Sequence, residues 1–209
     1  MKTDDLISKL SSEHKRVEVL PPFWKRYLRW SLISVLCVFT GVSLVGIRED
    51  WVELFKSTSM LLQNLAILLG ALLASALALL LSVPGSEKNK LLRYLVPLPF
   101  VLWAIVLLVR GLEAPSFYPG IAMGCAAEIF SLGFIPGILL LVIVRRGATL
   151  HRGKASFFVF MAAAALGAFG AQFSCHNDDP FHLLFWHFMP VLIIGILGVA
   201  LAKKLLKKV

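Results

Sequence analysis

Six long apolar runs, at 30–47, 61–83, 91–109, 119–144, 155–173 and 181–202, leave this chain few ways to fold. Each holds about 18–26 residues, and at 1.5 Å per residue a helix of that length crosses a hydrocarbon core of about 30 Å. Inside such a core there is no water to satisfy backbone N–H and C=O groups, so each run must be a helix. The expected fold is all-α: a polytopic bundle of six transmembrane helices. Charged residues make up only 16% of the sequence, against about 25% in an ordinary soluble domain. The net charge of +9 does not point to nucleic acid, because the basic residues flank the apolar runs as topology determinants do. No short apolar region with a small-residue cleavage site opens the chain, so the N-terminus is expected to stay on the mature protein.

Those basic residues orient the bundle. Of the 21 Lys and Arg, 18 lie before the first run, between runs two and three, between runs four and five, or after the sixth. The other side has only Arg48, Lys56 and Arg110. The positive-inside rule therefore predicts both termini in the cytoplasm. The chain divides into a cytoplasmic segment at 1–29, a transmembrane domain at 30–203 and a basic tail at 204–209.

The first segment is patterned. Thr3 is placed to cap a helix whose first turn carries Asp4 and Asp5, which suit its positive end. Leu6, Ile7 and Leu10 form a narrow apolar face, and Asp5 and Lys9 sit at i,i+4. That face is too small to fold alone, so 1–20 reads either as a solvated or membrane-skimming tail or as a recognition helix for a partner. Pro21-Pro22 stops the helix, and Phe23, Trp24, Lys25, Arg26, Tyr27, Arg29 and Trp30 form an aromatic and basic belt at the membrane surface. Within the spans, Pro97, Pro99, Pro136 and Pro190 are expected to kink helices without ending them. Gly70/Ala74, Gly133/Gly137 and Ala163/Gly167/Ala171 are spaced for close helix packing.

The chemistry concentrates between runs five and six. Residues 175–190 hold one of three cysteines and three of five histidines, with Asp178 and Asp179 between them. The predicted topology puts Cys175 at the outer end of span five. Cys125 lies about two turns into span four from the same side, with Glu128 one turn deeper. His182 opens span six, and His187 lies about a turn further in. Three readings fit these residues. Cys125 and Cys175 are buried small hydrophobes, with His187 hydrogen-bonded and Asp178 or Asp179 capping span six. Alternatively, the two cysteines are a redox or soft-metal sensor, with Glu128, His176, Asp178, Asp179, His182 and His187 as auxiliary candidates. The third reading is a catalytic or transport site, which Glu128 favours because an ionisable group within a bilayer usually serves a purpose.

Several classes are disfavoured. Disulfide-generating membrane oxidoreductases use close cysteine pairs, which this sequence lacks. Only His187 suits a membrane haem ligand, where two are needed. No phosphate loop, hydrolase elbow or zincin motif occurs. The chain is not expected to be an enzyme or to carry a resident cofactor, although a heavy metal is a fitting transient ligand. A small six-helix transporter, or a thiol- or metal-binding membrane protein, remains an alternative function. Its pathway would be poorly lined, since the first three spans offer little beyond Gln63, Asn64 and scattered Ser and Thr.

Motifs along the whole chain carry a resemblance. Met1-Lys2-Thr3-Asp4-Asp5-Leu6-Ile7, Leu81-Ser82-Val83-Pro84-Gly85, Arg145-Arg146-Gly147 and Phe173-Ser174-Cys175-His176-Asn177-Asp178-Asp179 are its first parts. Trp186-His187-Phe188-Met189-Pro190-Val191 and Cys125 complete it. Together these resemble the NrsF family of six-span anti-sigma factors in the bacterial inner membrane. The resemblance implies a partner, a sigma factor of the extracytoplasmic-function class. It would be held by the N-terminal segment, with Thr3, Asp4, Asp5, Leu6, Ile7 and Leu10 as the contact residues, and the lipid bilayer is the other partner. It also implies that Cys125 and Cys175 are needed for release under heavy-metal or oxidative stress, with no direct contact to nucleic acid. Cys37, in the middle of span one, has no counterpart in the family pattern.

Overall fold

The computed structural model describes residues 3–12, 19–85, 90–114 and 122–206. Its elements are α1 (Thr3–Ser12), α2 (Phe23–Val45), α3 (Glu53–Lys56), α4 (Thr58–Leu80), α5 (Lys90–Leu95), α6 (Pro97–Glu113), α7 (Met123–Arg145) and α8 (Arg152–Ala171). They are followed by α9 (Pro180–Leu183), a π-turn (Leu184–Phe188) and α10 (Met189–Leu205). No strand occurs among the described residues. Six helical stretches are long and apolar enough to cross a membrane: α2, α4, Leu91–Glu113, α7, α8 and Pro180–Leu205. The chain is a multi-pass membrane protein.

The helix ends depart from the apolar runs in instructive ways. The first spanning helix begins at Phe23, not at residue 30. The aromatic and basic belt is its opening turns, with Phe23 and Tyr27 stacked at 5.7 Å. Nothing after Pro22 breaks a helix, so the helix runs through the interface that the belt marks. In span three, Pro97 divides α5 from α6, but Val96 between them keeps a right-handed helical backbone and the span continues. The expected start of span four, at 119–121, lies outside the described residues. In α1, Asp4 and Asp5 occupy the first turn and Ile7 is exposed. The side chains of Leu6 and Leu10 lie outside those described.

Helix α8 is the centre of the bundle, packed against α4, α7 and α10. Its sequence explains why: the stretch from Met161 to Ala171 is mostly Ala and Gly, and nearly all of it is buried. Small residues let backbones approach closely where lipid provides no hydrophobic drive for helix association. At the α7–α8 crossing, a Cβ on Gly133 would stand 2.5 Å from the Ala163 carbonyl oxygen, and one on Gly167 would overlap the Ile129 carbonyl. The predicted small-residue sets on these two helices thus meet each other.

Helix α2 is held differently. It buries one stripe at i,i+4 spacing, Arg26, Trp30, Ser34, Val38 and Val42, mainly against α7. Trp30 Nε1 donates to the Pro136 carbonyl at 2.9 Å. Beside α2 lies an apolar cleft of about 300 Å³, lined in part by Val35, Phe39, Leu68 and Phe169. At the end where α2 begins, Arg26 donates to Ser82 Oγ at 3.0 Å. Gly147 packs so closely on Ser82 that a Cβ would overlap its carbonyl. The Leu-Ser-Val-Pro-Gly and Arg-Arg-Gly motifs therefore meet there, next to the N-terminal segment.

Candidate thiol site

Four residues converge at the other end of the bundle. Cys125 sits in the first turn of α7, where its N–H donates to the Ala122 carbonyl at 3.0 Å. Cys175 follows α8 and stays close to it through a 2.9 Å bond from its N–H to the Ala171 carbonyl. His182 lies in α9, whose start is fixed by the Asp179 carboxylate. That carboxylate accepts from the N–H groups of Phe181 at 2.9 Å and His182 at 3.0 Å, the N-cap arrangement that satisfies otherwise orphaned donors.

His187 reaches the same place because the helix is not regular there. Five residues are about 1.4 turns of an α-helix, which would put His182 and His187 on different faces. Instead the Met189 N–H donates to the Leu184 carbonyl, the i→i+5 bond of a π-turn. Pro190 is the sequence cause: it has no N–H for the Trp186 carbonyl, and its ring crowds that oxygen, so the preceding turn widens. The two imidazole centroids end up 5.5 Å apart.

The Sγ atoms of Cys125 and Cys175 are 3.7 Å apart although 50 residues separate them in sequence. His182 Nε2 lies 3.6 Å from the Cys125 sulfur and 3.4 Å from the Cys175 sulfur. A ring nitrogen of His187 completes a group of four donor atoms all within 4.8 Å of one another. Cys175, His182 and His187 are buried, whereas Cys125 is only half-buried and gives the group its way out. Both cysteines are free thiols. The Cys175 thiol lies below the ordinary thiol range, chiefly because Cys125 hydrogen-bonds to its sulfur, against the cost of burial. A lowered thiol is the reactive and metal-binding kind. Next to the pair, the Ser174 hydroxyl donates to the Glu128 carboxylate.

Two polar networks hold this group. The first is a clasp on Arg48, just beyond α2, which is buried at 3% exposure. Its Nε and Nη2 donate to the Asp50 carboxylate at 2.7 and 2.8 Å. Nη1 and Nη2 donate to the Asp178 carboxylate at 2.8 and 2.7 Å. Nη1 also reaches the Cys175 carbonyl at 2.9 Å. All five guanidinium N–H bonds are thereby used. The Arg48 backbone N–H adds a bond to the Phe173 carbonyl at 2.8 Å. The second network runs inward through buried amides. Arg110 Nη2 donates to the Asp178 carbonyl at 2.7 Å, and Nη1 to Gln63 Oε1 at 3.1 Å. Gln63 Nε2 donates to Gln172 Oε1 at 3.0 Å, and Gln172 Nε2 lies 3.2 Å from His187 Nδ1.

A family model described as negative regulator of sigma F matches residues 10–207. The chain belongs to the NrsF family. No curated protein and no solved structure matches it. The NrsF match covers every element from α2 to α10, and with it all four residues of the thiol group. What the family name carries directly is a regulatory role, that of a negative regulator with a sigma factor as its partner.

Of the residues singled out in the sequence, the structure brings together Cys125, Cys175, His182 and His187. It gives the others separate places. Asp179 caps α9, Asp178 belongs to the Arg48 clasp, Glu128 pairs with Ser174, and His176 is exposed. Cys37 lies along α2, outside the group. In the sequence Arg48 and Arg110 count only as topology charges and Gln63 only as a scattered polar residue, and Gln172 is not singled out. Their signal was present: two arginines on the side poor in positive charge, and two glutamines at the ends of apolar runs, where an unsatisfied polar group is costly.

Proposed function

We propose that this chain is an anti-sigma factor of the bacterial inner membrane with both termini in the cytoplasm. Its segment 1–29 sequesters a sigma factor of the extracytoplasmic-function class. It releases that partner when heavy-metal or oxidative stress reaches Cys125 and Cys175 on the periplasmic side. The observation that carries the reading is the 3.7 Å approach of the two sulfurs next to the Arg48 clasp. Arg48 binds the Cys175 carbonyl and is joined through α2 to the N-terminal segment. The 23 residues of α2 make a rod of about 35 Å, long enough to join the two faces of a membrane. Its single buried stripe and the adjacent cleft leave it the least enclosed of the packed spans. A change at the thiols thus has a mechanical path to the segment that holds the partner.

Either stress acts on the same pair. An oxidant of the peroxide class takes two electrons and two protons from the thiols, which form a disulfide as the peroxide is reduced. A thiophilic metal ion instead binds both sulfurs as thiolates and displaces the protons they carry. The disulfide draws the start of α7 and the end of α8 together, whereas the ion locks them at the spacing they already have; each is a two-state event biased at one end and read at the other.

The partner-binding end has its own test. Leu6→Asp together with Leu10→Asp should abolish retention of the sigma factor in a pull-down with the full-length chain, because the apolar face of α1 is lost. Membrane insertion, read by fractionation, should be unchanged. Unaltered retention would remove that face from the account.

A further inference from the structure

We propose that Cys125, Cys175 and His182 form a three-donor site for a tetrahedral, thiophilic divalent cation of the zinc or cadmium class. His187, although inside the same group, is not a ligand. The inference rests on the reading of this end as the sensing end, and it specifies what the end senses.

The distances set the geometry. With zinc–sulfur bonds of about 2.3 Å and zinc–nitrogen bonds of about 2.0–2.1 Å, tetrahedral zinc spaces sulfur from sulfur by about 3.8 Å and sulfur from nitrogen by about 3.6 Å. The three edges here are 3.7, 3.6 and 3.4 Å. The donors therefore already stand where such an ion would hold them. Two thiolates cancel the charge of a divalent cation, so the bound state is neutral, as a buried site near a membrane core requires. Two sulfurs and an imidazole also select against hard cations such as magnesium and calcium, which need oxygen. The half-buried Cys125 supplies the entry path.

His187 is set apart by its tautomer. Arg110 only donates, so the atom of Gln63 facing it must be the oxygen. The Gln63 amide nitrogen then faces Gln172 and needs an oxygen there, which leaves the Gln172 amide nitrogen donating to His187 Nδ1. With Nδ1 accepting, the neutral ring carries its proton on Nε2. A metal-bound Nε2 would need that proton on Nδ1, where a ligating histidine ordinarily donates to an oxygen. Here Nδ1–H would face an amide N–H, and reversing the row would end with Gln63 presenting N–H to Arg110. His187 Nε2 is fully buried and makes no hydrogen bond in this structure. The proton it carries keeps that nitrogen from ligating. That leaves the site three protein donors and one open position, as in sites that exchange their ligands.

The test uses the full-length chain, purified in detergent with its thiols reduced and free reductant removed. Cadmium is titrated and followed by the thiolate-to-cadmium charge-transfer band. One ion should bind per chain. Cys125→Ser and Cys175→Ser should each lose the band. His182→Asn should weaken binding by at least about 10-fold, whereas His187→Gln should stay within about threefold of the unmodified chain. If His182→Asn fails to fold, as read by its helical circular dichroism, His182→Cys decides the point, because a third thiolate should keep the ion bound. Overturning results are no band in the unmodified chain, unchanged affinity in His182→Asn, loss of binding in a folded His182→Cys, or equal damage from His187→Gln and His182→Asn. A promoter response to peroxide without any cadmium binding would remove the metal site and leave the anti-sigma reading standing. Cadmium binding without a promoter response to cadmium would do the reverse.

Discussion

Serine at either Cys125 or Cys175 is expected to leave the sigma-dependent promoter silent under heavy-metal and oxidative stress. The unmodified chain should raise output by about 5–150-fold, the span of an allosteric coupling of about 1–3 kcal/mol. A hydroxyl cannot form a disulfide, and at neutral pH it supplies no anionic sulfur for a soft metal. Serine is close to cysteine in size, so the fold should survive the change. At 175 it retains a hydrogen-bonding neighbour in His182 Nε2, now 3.4 Å from the sulfur. At 125 the site is only half-buried. The variants should therefore still hold the sigma factor and lose only its release. Cys37→Ser is the control. That thiol lies along α2, outside the group of four, and its loss should leave the response intact. A reporter fused to the regulated promoter, read with and without stress, checks all three variants. A normal response in the Cys125→Ser/Cys175→Ser double variant would return both cysteines to packing.

Arg48→Ala is the change expected to damage the structure most for a single residue outside the spans. It removes the donor that the Asp50 and Asp178 carboxylates and the Cys175 carbonyl all share. Breaking a fully buried pair costs about 3–5 kcal/mol. Both carboxylates here keep some contact with solvent, so we expect about 2 kcal/mol, read as a lower unfolding temperature in detergent. Arg48→Lys should recover little, because a single ammonium cannot serve two carboxylates side by side. The same variants should respond weakly to stress, since Arg48 is the link between Cys175 and α2.

The clasp also predicts a pH profile. Hydrogen bonding from Arg48 lowers the Asp50 carboxyl to about 2, from 3.8 in the absence of partners. A carboxyl lowered in the folded state stabilises above its unfolded value and stops doing so as pH falls through its folded value. The unfolding temperature should therefore hold from neutral pH down to about 4 and decline between about 4 and 2. In Arg48→Ala most of that contribution to the acid decline should disappear, because the largest cause of the lowered Asp50 carboxyl is gone. An unchanged acid profile in Arg48→Ala would mean that the clasp does not act on stability.

The fold was legible in the sequence because bilayer physics is unforgiving. Apolar length sets the number of spans, and small residues such as Gly133 and Gly167 mark where backbones meet. The thiol group was legible in part, since counting spans puts Cys125 and Cys175 at one depth, but depth alone does not make two helices neighbours. His182 and His187 were harder. Their spacing of five is wrong for one face of an α-helix, and only the widened turn before Pro190 brings them together. Arg48 and Arg110 were hidden by the use made of them. As charges they help to orient the bundle, and nothing local shows that their partners are Asp178, the Cys175 carbonyl and Gln63. The direction of the amide row, from Arg110 to His187, exists only once four spans are packed.

One coupling, between the thiol end and the N-terminal segment, underlies the proposed function. It is measured most directly as the affinity of the full-length chain, in a lipid nanodisc, for its sigma factor, with the thiols free and then with cadmium bound or the pair oxidised. The expected result is a loss of affinity of about 5–150-fold in the unmodified chain and no change in Cys125→Ser or Cys175→Ser. The same affinity in both states of the unmodified chain would contradict the account.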